Sequence, residues 1–459
     1  MTQMTGSGVG ARLRAHVRGQ VWEHDDDGYD AARAVWNGAV DRRPTVVVRC
    51  ADADDVRTAL LVAREHGVPL SVRGGGHDWA GRAVRDDGVV LDLAAMRGVR
   101  VDADALVAHA EGGALVADVV DPAAAQGLGT ATAVVRGVGM AGMTMAGGYG
   151  GLVGRFGLAL DNLLSADVVL PDGTQVTAAP DEDAELLWAL RGGGGNFGVV
   201  TAARYRLHPL GPVLGGMLLF PGHEAVDVLR GYRDVVAAAP DELTVMAGLL
   251  TGPTGEPAAF VAPTWSGDLA AGEAAVAPLT RLGTPVGGGV GPMPYPELIR
   301  MFEAGSPPGR SYALGTRWLP ELTDDAVRTL VDAAASSPSP SSLLALHHFH
   351  GAGARVAPDA TAFALRRDHL LAEVIAAWAP PGTDPEGAAA EQQAWVDEVS
   401  AALAPGALPG GYPNILGPDD ADRTRLGFGA NADRLLAAKR RYDPDGVLSA
   451  IGAFRATVS

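Results

Sequence analysis

The chain has 459 residues, enough for two or three domains, and a globular composition with 47% hydrophobic and 20% charged residues. Its formal net charge of -18 disfavours binding to nucleic acid or to an anionic membrane surface. The one cysteine, Cys50, excludes an internal disulfide and a cysteine-cluster metal site, and the lack of a long apolar run predicts a soluble, cytoplasmic protein.

Strand and helix patterns alternate through the first 210 residues. Residues 45–49 form a β-branched run that predicts a buried strand. Residues 53–67 have acidic side chains at their start, apolar residues at helical spacing and a glycine at their end, which predicts a helix. Further strands are predicted at 70–73, 89–93 and 166–170. This alternation favours α/β or α+β packing.

The pattern changes between about residues 213 and 405, where proline-rich joints separate strand-like pieces from amphipathic helices such as 324–335. From about residue 411 the aromatic and glycine pattern of the first part returns. We therefore expect four parts, namely an N-terminal extension, a first domain, a second domain and a segment that returns to the first domain, with bounds 1–27, 28–210, 211–410 and 411–459.

Three glycine-rich segments stand out, at 71–81, 138–151 and 191–201. In the third, Gly193, Gly195 and Gly198 satisfy the G-x-G-x-x-G dinucleotide pattern, but that motif must follow a strand and open a helix. Here a predicted helix precedes the glycines and a predicted strand follows them, so a Rossmann nicotinamide site is rejected. Walker A, H-E-x-x-H and G-x-S-x-G sequences do not occur, which removes support for ATPase, zinc hydrolase and serine hydrolase functions.

The glycine-rich loops could donate backbone N–H groups to a pyrophosphate, because no Cβ atoms would block its approach. Any one of them alone could equally be a plain turn. Their combination is more specific, and it extends to the aromatic motifs near the end of the chain. The motifs are Arg73-Gly-Gly-Gly-His77, the segments 138–151, 155–173 and 186–198, Tyr412-Pro-Asn414, and the segments 427–435 and 439–444.

In order and spacing these motifs resemble the FAD-linked oxidases of the berberine-bridge-enzyme-like branch, within the vanillyl-alcohol oxidase or PCMH-type superfamily, over about residues 28–455. The resemblance implies an α+β fold, with a two-subdomain PCMH-type FAD-binding domain and a substrate domain in which an antiparallel sheet is flanked by helices. It also implies oxidation of a small organic molecule, typically in bacterial secondary metabolism, with hydride transfer to flavin N5 and release of hydrogen peroxide from O2.

The resemblance further implies that FAD is attached covalently through His77, which stands where the family's histidine bonds the 8α-methyl group of the flavin. Many relatives add a bond from a cysteine, but that position here is Val135, so a single linkage is expected. Val138 corresponds to a position beside flavin C4a that influences oxygen access, although it could simply pack the loop. The full set of expected cofactor contacts is Arg73, Gly74, Gly75, Gly76, His77, Asp78, Val138, Gly139, Gly142, Met143, Gly147, Gly148, Tyr149, Gly198, Val200, Tyr412 and Asn414.

A base must remove the substrate proton. Tyr412, which matches the family's Tyr-x-Asn tyrosine, is the first candidate, against the alternative of a packing or flavin-contacting role. The segment 346–351 carries three histidines and reads as a strand, so His348 and His350 share one face while His347 points the other way. His348 and His350 are the second candidates, against metal binding or simple hydrogen bonding.

Two rival functions stay open at this point. One is a binding or resistance protein that uses its flavin to reoxidise or sequester a reactive compound such as a quinone. The other is a flavin-dependent oxygenase. No metal and no nucleic-acid partner are expected, and a homodimer is a further possibility.

Overall fold

The computed structural model describes residues 6–383 and 387–450. Within them, no helix is both long and apolar enough to cross a membrane. The first 210 residues contain these elements in chain order: α1 Gly6–His16, β1 Gln20–Glu23, α2 Tyr29–Arg33, β2 Val46–Arg49, α3 Ala53–Glu65, β3 Leu70–Arg73, β4 Val89–Asp92, β5 Val99–Asp102, β6 Val107–Glu111, α4 Val116–Ala124, β7 Leu128–Gly129, α5 Met140–Ala146, α6 Val153–Phe156, β8 Leu163–Val169, β9 Gln175–Ala178, α7 Ala184–Leu190, β10 Val199–Arg206 and β11 His208–Pro209.

The later residues form a second set of elements: β12 Val213–Pro221, α8 Ala225–Val236, β13 Leu243–Thr251, β14 Pro257–Trp265, α9 Leu269–Val276, β15 Gly287–Met293, α10 Tyr295–Arg300, β16 Ser311–Leu319, α11 Asp324–Ala335, β17 Leu343–Phe349, α12 Ala352–Arg355, β18 His369–Trp378, α13 Ala388–Leu403, α14 Ala421–Gly427 and α15 Ala432–Tyr442. The mixed α+β class predicted from the sequence is confirmed. So is the order of a helix before the third glycine segment and a strand after it.

Two sheets organise the first part of the chain. In the first, strands run in the order β1-β2-β4-β3, with β2, β4 and β3 parallel. The second is antiparallel with the order β5-β6-β10-β8-β9. Helix α3 covers the parallel sheet, and it begins where the Asp52 carboxylate accepts from the N–H groups of Asp54 and Asp55, which satisfies two donors at the helix start.

The second part is built on one seven-stranded antiparallel sheet with the order β15-β12-β14-β13-β17-β18-β16. One of its faces packs against helices α8, α11 and α13 through an apolar core that includes Leu344 and Leu346 of β17. Side chains alternate between the two faces along each strand. Ala345, His347 and Phe349 therefore lie on the opposite face, which we call the inner face.

The inner face is turned toward the first part of the chain. Phe349 and Leu371 of the sheet share an apolar cluster with Tyr149, Leu158 and Tyr412, which come from the first part and from the C-terminal segment. The sheet and the glycine segments are therefore brought together along this face.

A buried ion pair joins the two parts beside this cluster. The guanidinium group of Arg366 contacts the Asp161 carboxylate through two hydrogen bonds of 2.8 and 2.9 Å, and the Arg366 side chain is 0% exposed. Arg366 also donates to the carbonyl oxygen atoms of Phe363 and Gly353. Because each donor of this buried cation is matched, its partner Asp161 is needed to keep the charge inside the protein.

Replacing Asp161 with Asn should lower the free energy of unfolding by about 3–5 kcal/mol, since it leaves the buried Arg366 cation uncompensated. Urea denaturation measures this change. The matched control is Asp241→Asn, which breaks the exposed pair with Arg355 and should have little effect. Adding Arg366→Met to Asp161→Asn should recover part of the lost free energy of unfolding. An Asp161→Asn protein as stable as the wild type would show that Asp161 is not needed to compensate the Arg366 charge.

Candidate active site

Two of the glycine segments touch each other backbone to backbone. A Cβ atom on Gly75 would lie 2.3 Å from the amide nitrogen of Gly139, and a Cβ atom on Gly139 would lie 2.5 Å from the amide nitrogen of Gly75. No side chain tolerates such distances, so glycine is required at both positions. This contact sets the loop that leaves β3 against the start of α5.

The third glycine segment is attached to the other end of α5. The N–H groups of Gly192 and Gly194 both donate to the carbonyl oxygen of Met145, at 2.9 Å each. The C-terminal segment supports the same loop, because the buried Lys439 ammonium donates to the carbonyl oxygen of Asn196 at 2.8 Å. Its charge is balanced by Asp443. The first and third segments thus contact the two ends of α5, the short helix within the second segment.

A cavity of about 520 Å³ runs along the first loop, and it is lined by residues 74–77 together with Trp36, Leu115, Val135, Gly137 and Glu303. The backbone N–H groups of residues 74–77 donate to no acceptor within residues 6–383 and 387–450. A side chain at Gly137 or Gly142 would meet no heavy atom within 4 Å. Free N–H groups on a surface without side chains suit a pyrophosphate, so these residues fit FAD.

His77 follows the first loop and is held by aromatic stacking. Its ring lies 4.2 Å from that of Trp36 at an interplanar angle of 16°, and Trp36 stacks in turn on Tyr312 of β16 at 3.8 Å. Burial lowers the pKa of His77 to about 4. The imidazole is therefore neutral at neutral pH, and one ring nitrogen keeps a free lone pair.

Arg73 holds the start of the first loop in place. Its guanidinium group makes a two-point contact with the fully buried Asp92, at 2.6 and 3.1 Å, and also donates to the carbonyl oxygen of Ala34 at 2.7 Å. Arg73 lines the cavity, as expected of a cofactor residue. Asp92 also accepts from Arg49 at 2.8 Å, so one carboxylate serves two guanidinium groups. Arg73 orients the loop through these contacts, and its contact with the cofactor stays a prediction.

The chain after His77 is fastened to the Tyr412 segment. Asp78 binds Arg82 at 2.6 Å, and Arg82 donates to the carbonyl oxygen of Asn414 at 3.3 Å. The indole N–H of Trp79 donates to the carbonyl oxygen of Ile415 at 2.8 Å. The Asp78 carboxylate is thus engaged by Arg82, and the structure brings the two sequence motifs side by side.

Tyr412 is buried, and its hydroxyl oxygen accepts two hydrogen bonds. One comes from the Gly148 N–H at 2.8 Å and the other from the Asn414 side-chain amide at 3.0 Å. These donors favour the phenolate, but burial is the stronger influence and raises the pKa of Tyr412 to about 12. The arrangement therefore favours a neutral tyrosine. Its role is then to position the Gly147–Gly148 backbone rather than to act as a general base.

Tyr149 and His369 form a second buried polar pair. The Nδ1–H of His369 donates to the carbonyl oxygen of Arg367 at 2.7 Å, because a carbonyl can only accept. Nε2 is then the acceptor for the Tyr149 hydroxyl at 2.9 Å. Burial raises the pKa of Tyr149 well above its ordinary value and lowers that of His369 to about 3. Both groups are therefore neutral, and the hydrogen bond between them joins β18 to the second glycine segment.

The inner face of the sheet carries an acid and a histidine in contact with each other. The His347 Nε2 atom lies 3.2 Å from a carboxylate oxygen of Glu373, and each side chain keeps a small exposed fraction. Leu371, two residues from Glu373 on the same strand and face, belongs to the apolar cluster that contains Tyr149 and Tyr412. Glu373 therefore lies beside the aromatic cluster that joins the sheet to the glycine segments.

His348 and His350 share a face, as the sequence predicts. Strand alternation places His348 on the face opposite His347, whereas His350 lies past the end of β17, next to Gly154 of the first part of the chain. A catalytic role for either histidine stays a prediction. Their rings stack on each other at 3.8 Å, and His350 Nε2 contacts the hydroxyl of Thr244 at 3.2 Å. The Nδ1 atom of His348 is buried without a hydrogen-bond partner in the described residues. Alternation along β17 places His347, and not His348, on the inner face.

The other expected cofactor residues fall into two groups. Met143, Gly147 and Gly148 contact the Tyr412 segment, and the Met143 carbonyl oxygen accepts from Asn414 at 3.3 Å. Val138 packs against the apolar core of the first part. Gly198 and Val200 are buried in sheet packing, where a Cβ atom on Gly198 would lie 2.3 Å from Val168. A cofactor contact through their backbone stays a prediction.

Trp36, Glu373 and His369 belong to the site although the sequence analysis did not select them. Trp36 lies outside every glycine-rich motif, and Glu373 is the one acidic residue in strand β18, where every other residue after His369 is apolar. That isolated acid was a usable signal, because a carboxylate inside an apolar strand needs a partner or a function.

Comparison with known proteins agrees with this geometry. A family model described as an FAD binding domain matches residues 44–179. The uncharacterized FAD-linked oxidoreductase YgaK of Bacillus subtilis is 27% identical over 95% of this chain and 96% of its own length.

Two solved structures share the complete fold. The 6-hydroxy-D-nicotine oxidase of Arthrobacter nicotinovorans has a TM-score of 0.86 and 27% identity, and the match covers 96% of this chain and 98% of that chain. The glucooligosaccharide oxidase of Acremonium strictum, which is described with a 6-S-cysteinyl, 8α-N1-histidyl FAD, has a TM-score of 0.82 and 23% identity, with coverage of 97% and 99%.

The buried neutral histidines should make the protein sensitive to acid. His369 has a pKa of about 3 in the folded protein against an ordinary 6.5, so between these pH values the unfolded chain binds a proton that the folded chain does not. Stability therefore falls as the pH is lowered through this window, by about 2 kcal/mol per such histidine from pH 7 to pH 5. Urea denaturation of the wild type and His369→Gln at both pH values should show a smaller pH effect in the variant, and equal pH effects would refute this assignment.

Proposed function

We propose that the chain, which is similar to FAD-linked oxidoreductases over nearly its whole length, oxidises a small organic molecule with an FAD held covalently by His77 alone, and that Glu373 takes up the substrate proton. When bound, the flavin accepts a hydride at N5 and returns the electrons to O2, which yields hydrogen peroxide. The observation that carries this proposal is the Glu373–His347 pair on the inner face, beside the cluster of Tyr149 and Tyr412.

His77 is suited to a covalent bond by its protonation state and its position. A ring nitrogen can form a bond only when its lone pair is free, and burial keeps the imidazole neutral. The Trp36 ring covers one face of the imidazole and limits its rotation. Val135 lines the same cavity as His77, and a valine offers no thiol, which supports a single linkage.

Glu373 is suited to proton uptake by its surroundings. Because a carboxylate oxygen can only accept, His347 donates its Nε2–H to Glu373 at 3.2 Å, which orients the carboxylate and leaves its second oxygen for the substrate. A base must lie within hydrogen-bond reach of the proton that it removes. A substrate O–H or N–H on the inner face meets that condition at Glu373.

Tyr412 and Asn414 have a supporting part in this proposal. The Tyr412 hydroxyl accepts from Gly148, and Asn414 bridges that hydroxyl and the Met143 carbonyl. Together they hold the end of helix α5 and the following glycines in one conformation. Gly147 and Gly148 have φ values of +154° and +91°, which other residues rarely adopt, so this turn depends on such support.

The covalent bond is tested by acid precipitation. Wild-type protein should keep its flavin absorbance in the pellet, whereas His77→Ala should release it to the supernatant. The control is His109→Ala, which removes a partly buried histidine from β6 and should retain the flavin in the pellet. Complete release of FAD from the wild type would overturn the covalent assignment.

The base is tested by comparing Glu373→Gln with Tyr412→Phe. Glu373→Gln should lower kcat by about 10²–10⁴-fold for any donor that the wild type oxidises, while the flavin stays bound. Tyr412→Phe should instead lower the free energy of unfolding by about 1–3 kcal/mol, because it leaves two N–H donors without an acceptor. Anaerobic single-turnover kinetics and urea denaturation give the two readouts. If Tyr412→Phe abolished reduction and Glu373→Gln did not, the base would be Tyr412.

A further inference from the structure

The inner face of the sheet is largely apolar near the Glu373 carboxylate, whose polar neighbours are its partner His347 and Thr316, the residue opposite it on β16. Its side chains include seven aliphatic ones that are each only partly buried, namely Met217, Leu219, Met246, Leu250, Leu314, Leu343 and Ile375. Glu373 is the one carboxylate at the inner-face positions of β12 to β18, all of which lie in the described part of the chain. Phe302 packs against the same apolar cluster as five of them, so the surface is contiguous and partly covered. A contiguous apolar surface at an enzyme site is typical of a binding function.

Strand pairing places the carboxylate next to a continuous aliphatic row. Leu250 pairs with Leu343, Leu343 with Ile375, and Ile375 with Leu314. Ile375 is two residues from Glu373 on the same strand, so the two side chains are neighbours on one face. A molecule that donates a hydrogen bond to Glu373 would pack its remaining, apolar part against this row of side chains.

Strand β15 leaves room beside the apolar face. Its residues Gly287 and Gly289 pair with Leu219 and Met217 of β12. A Cβ atom on Gly289 or Gly291 would meet no heavy atom within 4 Å. The glycines therefore extend the face without filling the space above it.

We propose that the substrate is a hydrophobic molecule that carries a single O–H or N–H donor, and that oligosaccharides are excluded. This proposal rests on the function proposed above, because it places the substrate on the same face as Glu373. A sugar has a hydroxyl on almost every carbon, and each one buried without a partner costs free energy. The aliphatic row offers no such partners, and a carboxylate substrate would be repelled by Glu373.

Binding of defined probes to the flavin-loaded protein tests this proposal, through changes in flavin absorbance and through equilibrium dialysis. The probes are 2-naphthylmethanol, 2-naphthylmethylamine, 2-naphthoate, cellotriose and chitotriose. The naphthyl alcohol or the amine should bind at least about tenfold more tightly than naphthoate, and the two oligosaccharides should not bind. Which of the alcohol and the amine binds better identifies the donor group.

Variants locate the binding surface. Ile375→Asp should weaken binding of the preferred naphthyl probe by roughly tenfold or more, and Leu426→Asp, at a position 56% exposed on α14, should not. If Ile375→Asp fails to fold, Ile375→Thr keeps the β-branched shape and should still weaken binding. Glu373→Gln should bring naphthoate binding closer to that of the alcohol.

Tight binding of either oligosaccharide would overturn the proposal. It would also be overturned if Ile375→Asp and Ile375→Thr left binding of the naphthyl probes unchanged. These binding results do not depend on turnover. Specific binding of the naphthyl probes without any flavin reduction by any donor would therefore contradict the oxidase function while leaving the ligand class intact.

Discussion

The contact between Gly75 and Gly139 is the constraint on which the site depends. It fixes the distance between the parallel sheet, which ends at Arg73, and helix α5, which begins after Gly139. The cavity along residues 74–77 exists because these two backbones meet without side chains. Arg73 and Asp92 hold one side of this contact, and the hydrogen bonds from the third glycine segment to Met145 hold the far end of α5.

A second level of organisation joins the glycine segments to the sheet. The stack of His77, Trp36 and Tyr312 crosses from the first part of the chain to β16, and the buried pair of Asp161 and Arg366 does the same near Tyr149. Aromatic stacking and a buried ion pair are both sensitive to small displacements. The two parts are therefore held in a fixed relative position. The distance between His77 and the groups on the inner face is fixed with it.

The sequence predicted much of the fold because local patterns carried the information. The strands at 70–73 and 199–206 and the helix at 324–335 have the bounds that their hydrophobic spacing predicts. The two faces of β17 were also separated correctly, since alternation is a local property. Which face looks toward the cofactor domain is decided by packing between distant segments, so His347 could not be preferred over His348 and His350. Glu373 escaped notice for the same reason, because its partner His347 belongs to a different strand.

The position of Lys439 has a consequence for how the protein matures. During synthesis the first and second glycine segments leave the ribosome long before the lysine that supports the third one. The carbonyl oxygen of Asn196 accepts from Lys439, which lies 243 residues further along the chain, so that loop gains its support only after those residues have been made. Earlier intermediates can fold the two sheets of the first part as a unit. Retention of a cofactor that depends on this loop then has to follow the synthesis of Lys439.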